Sequence, residues 1–373
     1  MKKKYLVALI LFCFNQMIKA VDKKNGMPLN AKIYVAGHTG LVGSALMHSL
    51  QEKGYKNIIV RSSQELDLCR QELVEKFFAE ERPEYVFLAA AKVGGILANN
   101  KYKAEFIYDN IMIATNVIQA SYKYGVKKLL NLGSSCIYPK NAPQPLKEEY
   151  LLSGPLEPTN EAYAIAKIAA IKMCRYYNEQ YGTNFISIMP PNLYGPHDNF
   201  NLETGHVIPV LIRKFHLAKL LEQNNFDEIQ RDLQKDHLDP ISHEILEKIL
   251  KKIGISREAV VLFGSGTPYR EFLYVDDLVQ ALIQYMENYN ACDIGESINI
   301  GSGSDLTIKD LAQLVKEIVG YTGMITYDTS KPDGMAKKLL DVTRMNELNA
   351  FSPVELKEGI KTTYQWYIKN SCD

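Results

Sequence analysis

Tyr163 and Lys167 stand four residues apart in Tyr-Ala-Ile-Ala-Lys, which puts them one turn apart on one helix face. An ammonium beside a phenol favours the phenolate and so lowers the phenol's pKa. Such a tyrosine can give a proton to the oxygen of a carbonyl that accepts hydride at carbon. Ser134 follows an expected strand at 128–132 and can polarise the same carbonyl. The spacing alone is common, because Tyr124 and Lys128 share it. That second pair closes at Gly125, has no companion hydroxyl and reads as structural. Position alone makes Cys136 a small buried residue and His206 an ordinary loop histidine.

A second constellation lies upstream, in Gly37-His38-Thr39-Gly40-Leu41-Val42-Gly43. It falls between an apolar strand at 31–36 and a helical pattern at 44–52. The glycines serve a tight turn, a backbone that approaches a pyrophosphate, and a helix packed close to its strand. The helix N-terminus then offers N–H donors to the phosphates. The spacing is G-x-x-G-x-x-G rather than G-x-G-x-x-G. At the end of the next strand, an acid would bind a ribose 2′-hydroxyl. Arg61-Ser62-Ser63 stands there instead, and a cation with hydroxyls suits the 2′-phosphate of NADP. Asp67 is a candidate for the adenine amino group.

The elements that must position these residues alternate. Strands are expected at 31–36, 57–60, 85–91, 128–132 and 185–190, with helices at 44–52, 73–80, 110–124 and 161–181 between them. Alternation of this kind means parallel β-α-β units, and the apolar runs mean strands covered on both faces. The expected fold is α/β: a Rossmann-like, doubly wound parallel sheet with its crevice at the strand C-termini, plus a smaller discontinuous C-terminal domain. Residues 31–200 and 272–303 form the first part; 201–271 and 304–373 form the second. Residues 298–301 return a late strand to the main sheet. Within the second part, 221–258 is dense in charge, is interrupted at Asp239-Pro240, and reads as a solvated helical insertion on the surface.

Composition narrows the classes. With 46% hydrophobic residues, the 373-residue chain can bury a large core. Forty-three basic residues balance 43 acidic ones, which argues against a bulk nucleic-acid or polybasic membrane binder. The six cysteines show neither C-x-x-C pairing nor zinc spacing, so no metal is expected. That usage fits a reduced, cytoplasmic protein. The N-terminus conflicts with it: Lys2 to Lys4, an apolar run at 5–14 and Ile18-Lys19-Ala20 have the form of a secretory signal. The run is too short for a comfortable membrane span. An unstructured extension, or a start at Met27, is the alternative, and a nucleotide chemistry favours it. Residues 1–30 are expected outside the fold.

Strand-end Ser134 followed by Tyr163-x-x-x-Lys167 resembles the triad of the short-chain dehydrogenases. Longer stretches resemble one family of the extended branch, the GDP-L-fucose synthases. These are residues 89–96 (AAAKVGGI), 132–139 (LGSSCIYP), 157–161 (EPTNE), 192–200 (NLYGPHDNF), 266–272 (GTPYREF) and 330–334 (SKPDG). The resemblance runs from Lys32 to the C-terminus except for the charged insertion. It implies NADPH as hydride donor, a GDP-sugar substrate and a homodimer through the helices at 110–124 and 161–181. It implies that Cys136 and His206 epimerise C3 and C5 before reduction at C4. It further implies that Leu132, Gly133, Ser135, Pro190, Asn192, Leu193 and His206 join the cofactor site. Asn192, Lys214, Phe263, Arg270, Asp333 and Lys338 would hold substrate, with Arg270 and Lys214 on the pyrophosphate and Phe263 near the guanosine. Thr39 and Ser63 replace arginines of some members, which leaves Arg61 as the main cation for the 2′-phosphate. Lys214 and Phe263 replace an arginine and a tryptophan.

Rival readings differ in chemistry. A 4,6-dehydratase needs an acidic pair where Ser135-Cys136 stands. Another nucleotide-sugar epimerase or reductase of the extended family remains the enzymatic alternative. A non-catalytic NADP-binding protein is the alternative from another class, and the presence of both Tyr163 and Lys167 speaks against it.

Overall fold

The computed structural model describes residues 26–234, 242–331, 333–348 and 353–371. The signal-like segment and the Asp239-Pro240 interruption lie outside them. The strands are β1 Ile33–Ala36, β2 Ile58–Ile59, β3 Tyr85–Leu88, β4 Lys128–Leu132, β5 Phe185–Met189, β6 Asn192–Tyr194, β7 Ala259–Phe263, β8 Tyr269–Tyr274, β9 Ile298–Asn299, β10 Asp305–Thr307, β11 Met324–Asp328 and β12 Lys337–Lys338. The first helices are α1 Leu41–Glu52, α2 Gln71–Glu81, α3 Ile96–Lys101, α4 Lys103–Lys123 and α5 Glu161–Tyr181. Then come α6 Val207–Glu222, α7 Phe226–Gln234, α8 His243–Lys252, α9 Val275–Asn288, α10 Ala291–Ile294, α11 Ile308–Val319, α12 Thr343–Glu347 and α13 Leu356–Ser371.

Six strands form one parallel sheet in the order β2-β1-β3-β4-β5-β9. Successive residues of a strand face opposite sides, and both sides here are apolar. Ile33 and Val35 pack with Leu46, Leu50, Leu278 and Leu282, from α1 and α9. Tyr34 and Ala36 pack with Phe77, Phe78, Val117 and Ile118, from α2 and α4. The strand order reverses between β1 and β3, which opens a crevice at their C-terminal ends. Lys128 turns from the start of β4 into the core, where its Nζ donates to the carbonyls of Tyr285 (2.8 Å), Met286 (2.7 Å) and Tyr289. It caps α9, a structural role as expected of this pair.

The remaining strands are short and mixed. β8 takes β10 antiparallel and β12 parallel, and β6 also runs parallel to it. β7 and β11 pair parallel. A second core lies under them, built on α6, α11 and α13.

The charged segment at 221–258 is not solvated decoration. Ile229 and Leu233 of α7 and Leu246 and Leu250 of α8 are buried in this second core. Asp232 pairs there with Arg213 of α6, Nε to Oδ1 at 2.8 Å, and both side chains are nearly inaccessible, at 2% and 3%. High charge density hid the apolar residues at helical spacing, because a helix buries one stripe and can keep its charges on the rest.

Candidate active site

The glycine turn fills the crevice at the switch point. Gly37 has φ +84°, and a Cβ on it would lie 2.8 Å from the Ala90 backbone at the end of β3. A Cβ on Gly43 would strike the Gly37 carbonyl. Gly40 caps α1 without a side-chain bond, and no acid occupies the first turn, so the helix N–H groups stay open to an anion. These features fit a dinucleotide pyrophosphate.

Arg61 does not stand free at the strand end. Its Nη2 donates to Glu81 Oε1 at 2.7 Å, its Nη1 donates to its neighbour's carbonyl at Val60, and its guanidinium lies over the Phe77 ring. Ser62 gives both its N–H (2.7 Å) and its hydroxyl (2.8 Å) to Glu65. Those two bonds hold the Glu65 carboxyl below its ordinary range, with smaller help from Arg61 and His38. Asp67 accepts from the Cys69 N–H at 2.9 Å. Of the donors expected for a 2′-phosphate, Arg61 and Ser62 are therefore engaged by carboxylates, and Ser63 is exposed.

Three chain segments bring the reactive groups together. Ser134, at the end of β4, accepts from the Cys136 N–H at 3.2 Å and caps a short 3₁₀ turn. Tyr163 and Lys167 project from α5, with the Tyr163 phenol close to the Ser134 hydroxyl. Burial raises the Tyr163 pKa, Cys136 adds to the rise and Ser134 opposes it. Lys167 does not offset this: its Nζ sits 5.7 Å from the ring centroid and donates to the Leu132 carbonyl at 2.7 Å. The sequence expectation of a lowered phenol pKa is corrected on that geometry. Burial brings Lys167 itself down to about 8.

Cys136 is the thiol of the cluster and is flanked by two donors. Its sulfur lies 3.2 Å from Lys338 Nζ and 3.3 Å from Asn160 Nδ2. Burial pushes the thiol up, but Lys338, Ser134 and Arg270 together outweigh it, and the thiol ends below its ordinary range. His206, at the N-terminal end of α6, is held below its ordinary range first by burial and then by Lys338. Lys338 therefore acts on both groups.

The other expected substrate contacts are less uniform. Arg270 donates to the carbonyls of Tyr269 (2.7 Å) and Asp333 (3.4 Å) and acts electrostatically on Cys136. Lys214 donates to the Val261 carbonyl at 3.1 Å and lies over the Phe263 ring, which is half exposed. Lys331 approaches the same ring. The Asp333 carboxylate is taken by the Ser265 N–H (2.6 Å) and hydroxyl (2.8 Å). Asn192 reaches the Glu271 carbonyl at 3.4 Å from β6. Asn160 escaped notice as a thiol partner although it lies in the quoted EPTNE run. No spacing rule ties it to a cysteine 24 residues earlier.

A parallel doubly wound sheet, a bare glycine turn at its switch point and a Ser–Tyr–Lys set at the strand ends define a Rossmann-type oxidoreductase fold of the short-chain dehydrogenase class. The chain belongs to the NAD dependent epimerase/dehydratase family, which matches residues 33–233 and 235–301. It is 51% identical over 341 residues to a putative GDP-L-fucose synthase 2 of Arabidopsis thaliana, covering 91% of this chain and 93% of that one. It is 47% identical over 345 residues to the GDP-L-fucose synthase of Escherichia coli, covering 91% and 97%. Among solved structures, a GDP-mannoheptose C4 reductase from Campylobacter jejuni with NADP bound is 44% identical with a TM-score of 0.82, covering 92% of this chain and all of that one. Among the described residues, no helix is long and apolar enough to cross a membrane.

Proposed function

We propose that the chain is an NADPH-dependent GDP-L-fucose synthase, converting GDP-4-dehydro-6-deoxy-D-mannose to GDP-L-fucose by 3,5-epimerisation and then reduction at C4. The observation that carries this reading is the Cys136 sulfur, 3.2 Å from Lys338 Nζ and beside the Ser134–Tyr163 pair. A simple ketoreductase needs Ser, Tyr and Lys alone. A cation-flanked thiol next to them adds a proton carrier aimed at carbons α to the ketone.

The residues divide the work. NADPH would supply the hydride; Gly37 to Gly43 would hold its pyrophosphate, and Leu132, Gly133, Ser135, Pro190 and Leu193 would line its site. Ser134 and Tyr163 hold the C4 oxygen, which acidifies the protons at C3 and C5 and carries the enolate charge. Cys136 and His206 remove and return those protons. Tyr163 protonates the C4 oxygen on reduction, and Lys167 keeps a cation near it. Asn192, Lys214, Phe263, Arg270, Asp333 and Lys338 form the GDP-sugar side of the crevice. In this reading, the six-stranded sheet with its helices binds cofactor, and the mixed strands over the second core bind substrate. A homodimer through α4 and α5 fits the exposed Tyr108, Ile165, Tyr176 and Tyr181 on those helices, and the cofactor and substrate suit the cytoplasm.

One assay tests the proposal. The chain is given the keto sugar and NADPH in deuterated solvent, and the product is identified with its deuterium positions. GDP-L-fucose carrying deuterium at C3 and C5 is the expected result. A C4 reductase of heptose type, the reading that the Campylobacter jejuni relative favours, would give reduced sugar with neither position exchanged.

A further inference from the structure

The two cations that act on the Cys136 sulfur, Lys338 and Arg270, are register partners in the β12–β8 ladder. β12 is only two residues long, so the ladder alone ties it down weakly. Glu271, the residue after Arg270, supplies what the ladder lacks. It is fully buried, at 0% exposure. Its Oε2 accepts from the Leu340 N–H at 2.9 Å, two residues beyond Lys338. Its Oε1 accepts from the Gly303 N–H at 2.8 Å and from the Ser302 hydroxyl at 3.3 Å. Any Cβ on Gly301 would strike that oxygen. On the opposite edge, Leu339 donates to Gln144 Oε1 at 3.0 Å and accepts from the Leu146 N–H at 2.7 Å. The strand bearing Lys338 is thus strapped on both sides, and Glu271 is the strap on the side of Arg270. Burial raises the Glu271 carboxyl to about 7, and these donors oppose the rise. Once ionised it only accepts, which matches three converging donors, whereas an amide would turn an NH₂ on one of them.

We propose that Glu271 is a positioning residue for proton transfer at Cys136: its carboxylate fixes the strand that carries Lys338, and so sets how readily the thiol ionises. The functional meaning rests on Cys136 being a proton carrier, but the positioning can be read without substrate. Full-length protein is labelled with iodoacetamide across a pH range, and Cys136 alkylation is followed by peptide mass spectrometry. Glu271→Gln should move the midpoint up and cut the rate below it about tenfold, since only the thiolate reacts. Lys338→Met should move it at least as far, and the double variant no further than Lys338→Met alone. Thermal unfolding and NADP+ binding report whether each variant is folded. A folded Glu271→Gln with an unchanged midpoint overturns the proposal, as does a double variant in which the two effects multiply. If Glu271→Gln does not fold, Glu271→Asp takes its place. Its shorter side chain cannot reach Leu340 and Gly303 together, so the same shift must appear. Normal solvent exchange by Cys136→Ser would sink the proton-carrier reading and leave the midpoint result standing.

Discussion

Asp232 offers the sharpest test of how the charged insertion is built. It lies on α7 with its carboxylate on Arg213 and its second oxygen on the Tyr367 hydroxyl, while its backbone carbonyl accepts from Arg213 Nη2 at 3.0 Å. Replacing it as Asp232→Leu leaves the guanidinium buried without its carboxylate. Breaking such a pair from one side costs about 3–5 kcal/mol. With a urea m-value of about 2–3 kcal/mol per molar, the unfolding midpoint should fall by about 1–2.5 M. Removing both charges as Arg213→Met with Asp232→Leu should recover most of that loss, because apolar replacement of both partners is close to neutral. The assay is urea unfolding followed by far-UV circular dichroism, repeated in about 0.5 M sodium chloride, where only solvated pairs are screened. A single-variant loss under about 1 kcal/mol, or one that vanishes in salt, would refute the buried pair. So would a double variant as unstable as the single. Excision of the whole segment is expected to prevent folding rather than leave the chemistry intact. It removes Ile229, Leu233, Leu246 and Leu250 from the core, each worth about 1.5–3 kcal/mol when buried.

Three further outcomes are expected. Tyr163→Phe should still exchange substrate hydrogens with deuterated solvent while its NADPH oxidation falls roughly a hundred- to ten-thousand-fold, whereas Cys136→Ser should lose exchange by a comparable factor; parallel NMR and nicotinamide absorbance measure both, and loss of exchange in Tyr163→Phe would mean the steps share one acid. Burial brings Lys167 to about 8, so its ammonium disappears as pH rises through that value, and the reductive rate should fall there while exchange, which needs the Cys136 thiolate, does not; pH profiles of the two rates check the opposite signs. Glu81→Gln should release Arg61 and raise the preference for NADPH over NADH, and Arg61→Ala should lower it, by about 1.5–3 kcal/mol for a charge-assisted bond; the ratio of kcat/KM for the two cofactors reads this, and no change in either variant would remove Arg61 from the 2′-phosphate site.

Periodicity and short spacing are local, and what they control was legible in the chain. The parallel strands at 85–88, 128–132 and 185–189 stand out because strands covered on both faces are predominantly apolar, with Lys128, Asn131 and Ser187 as their polar members. The glycine turn and the Tyr163–Lys167 pair are readable because a strand-to-helix turn and one helical turn are fixed distances in sequence. The mixed sheet escaped, since β6, β10 and β12 are two or three residues long and gain their place only from β8. The boundary drawn at 271/272 therefore fell inside a strand. Tertiary structure alone decided which charges meet. It put Arg61 on Glu81, sank Asp232 against Arg213, and carried Lys338 across 202 residues to the Cys136 sulfur. Ion pairing acts through space, and the side chains' types and spacings do not reveal which partner the packed backbone will bring within 3–4 Å.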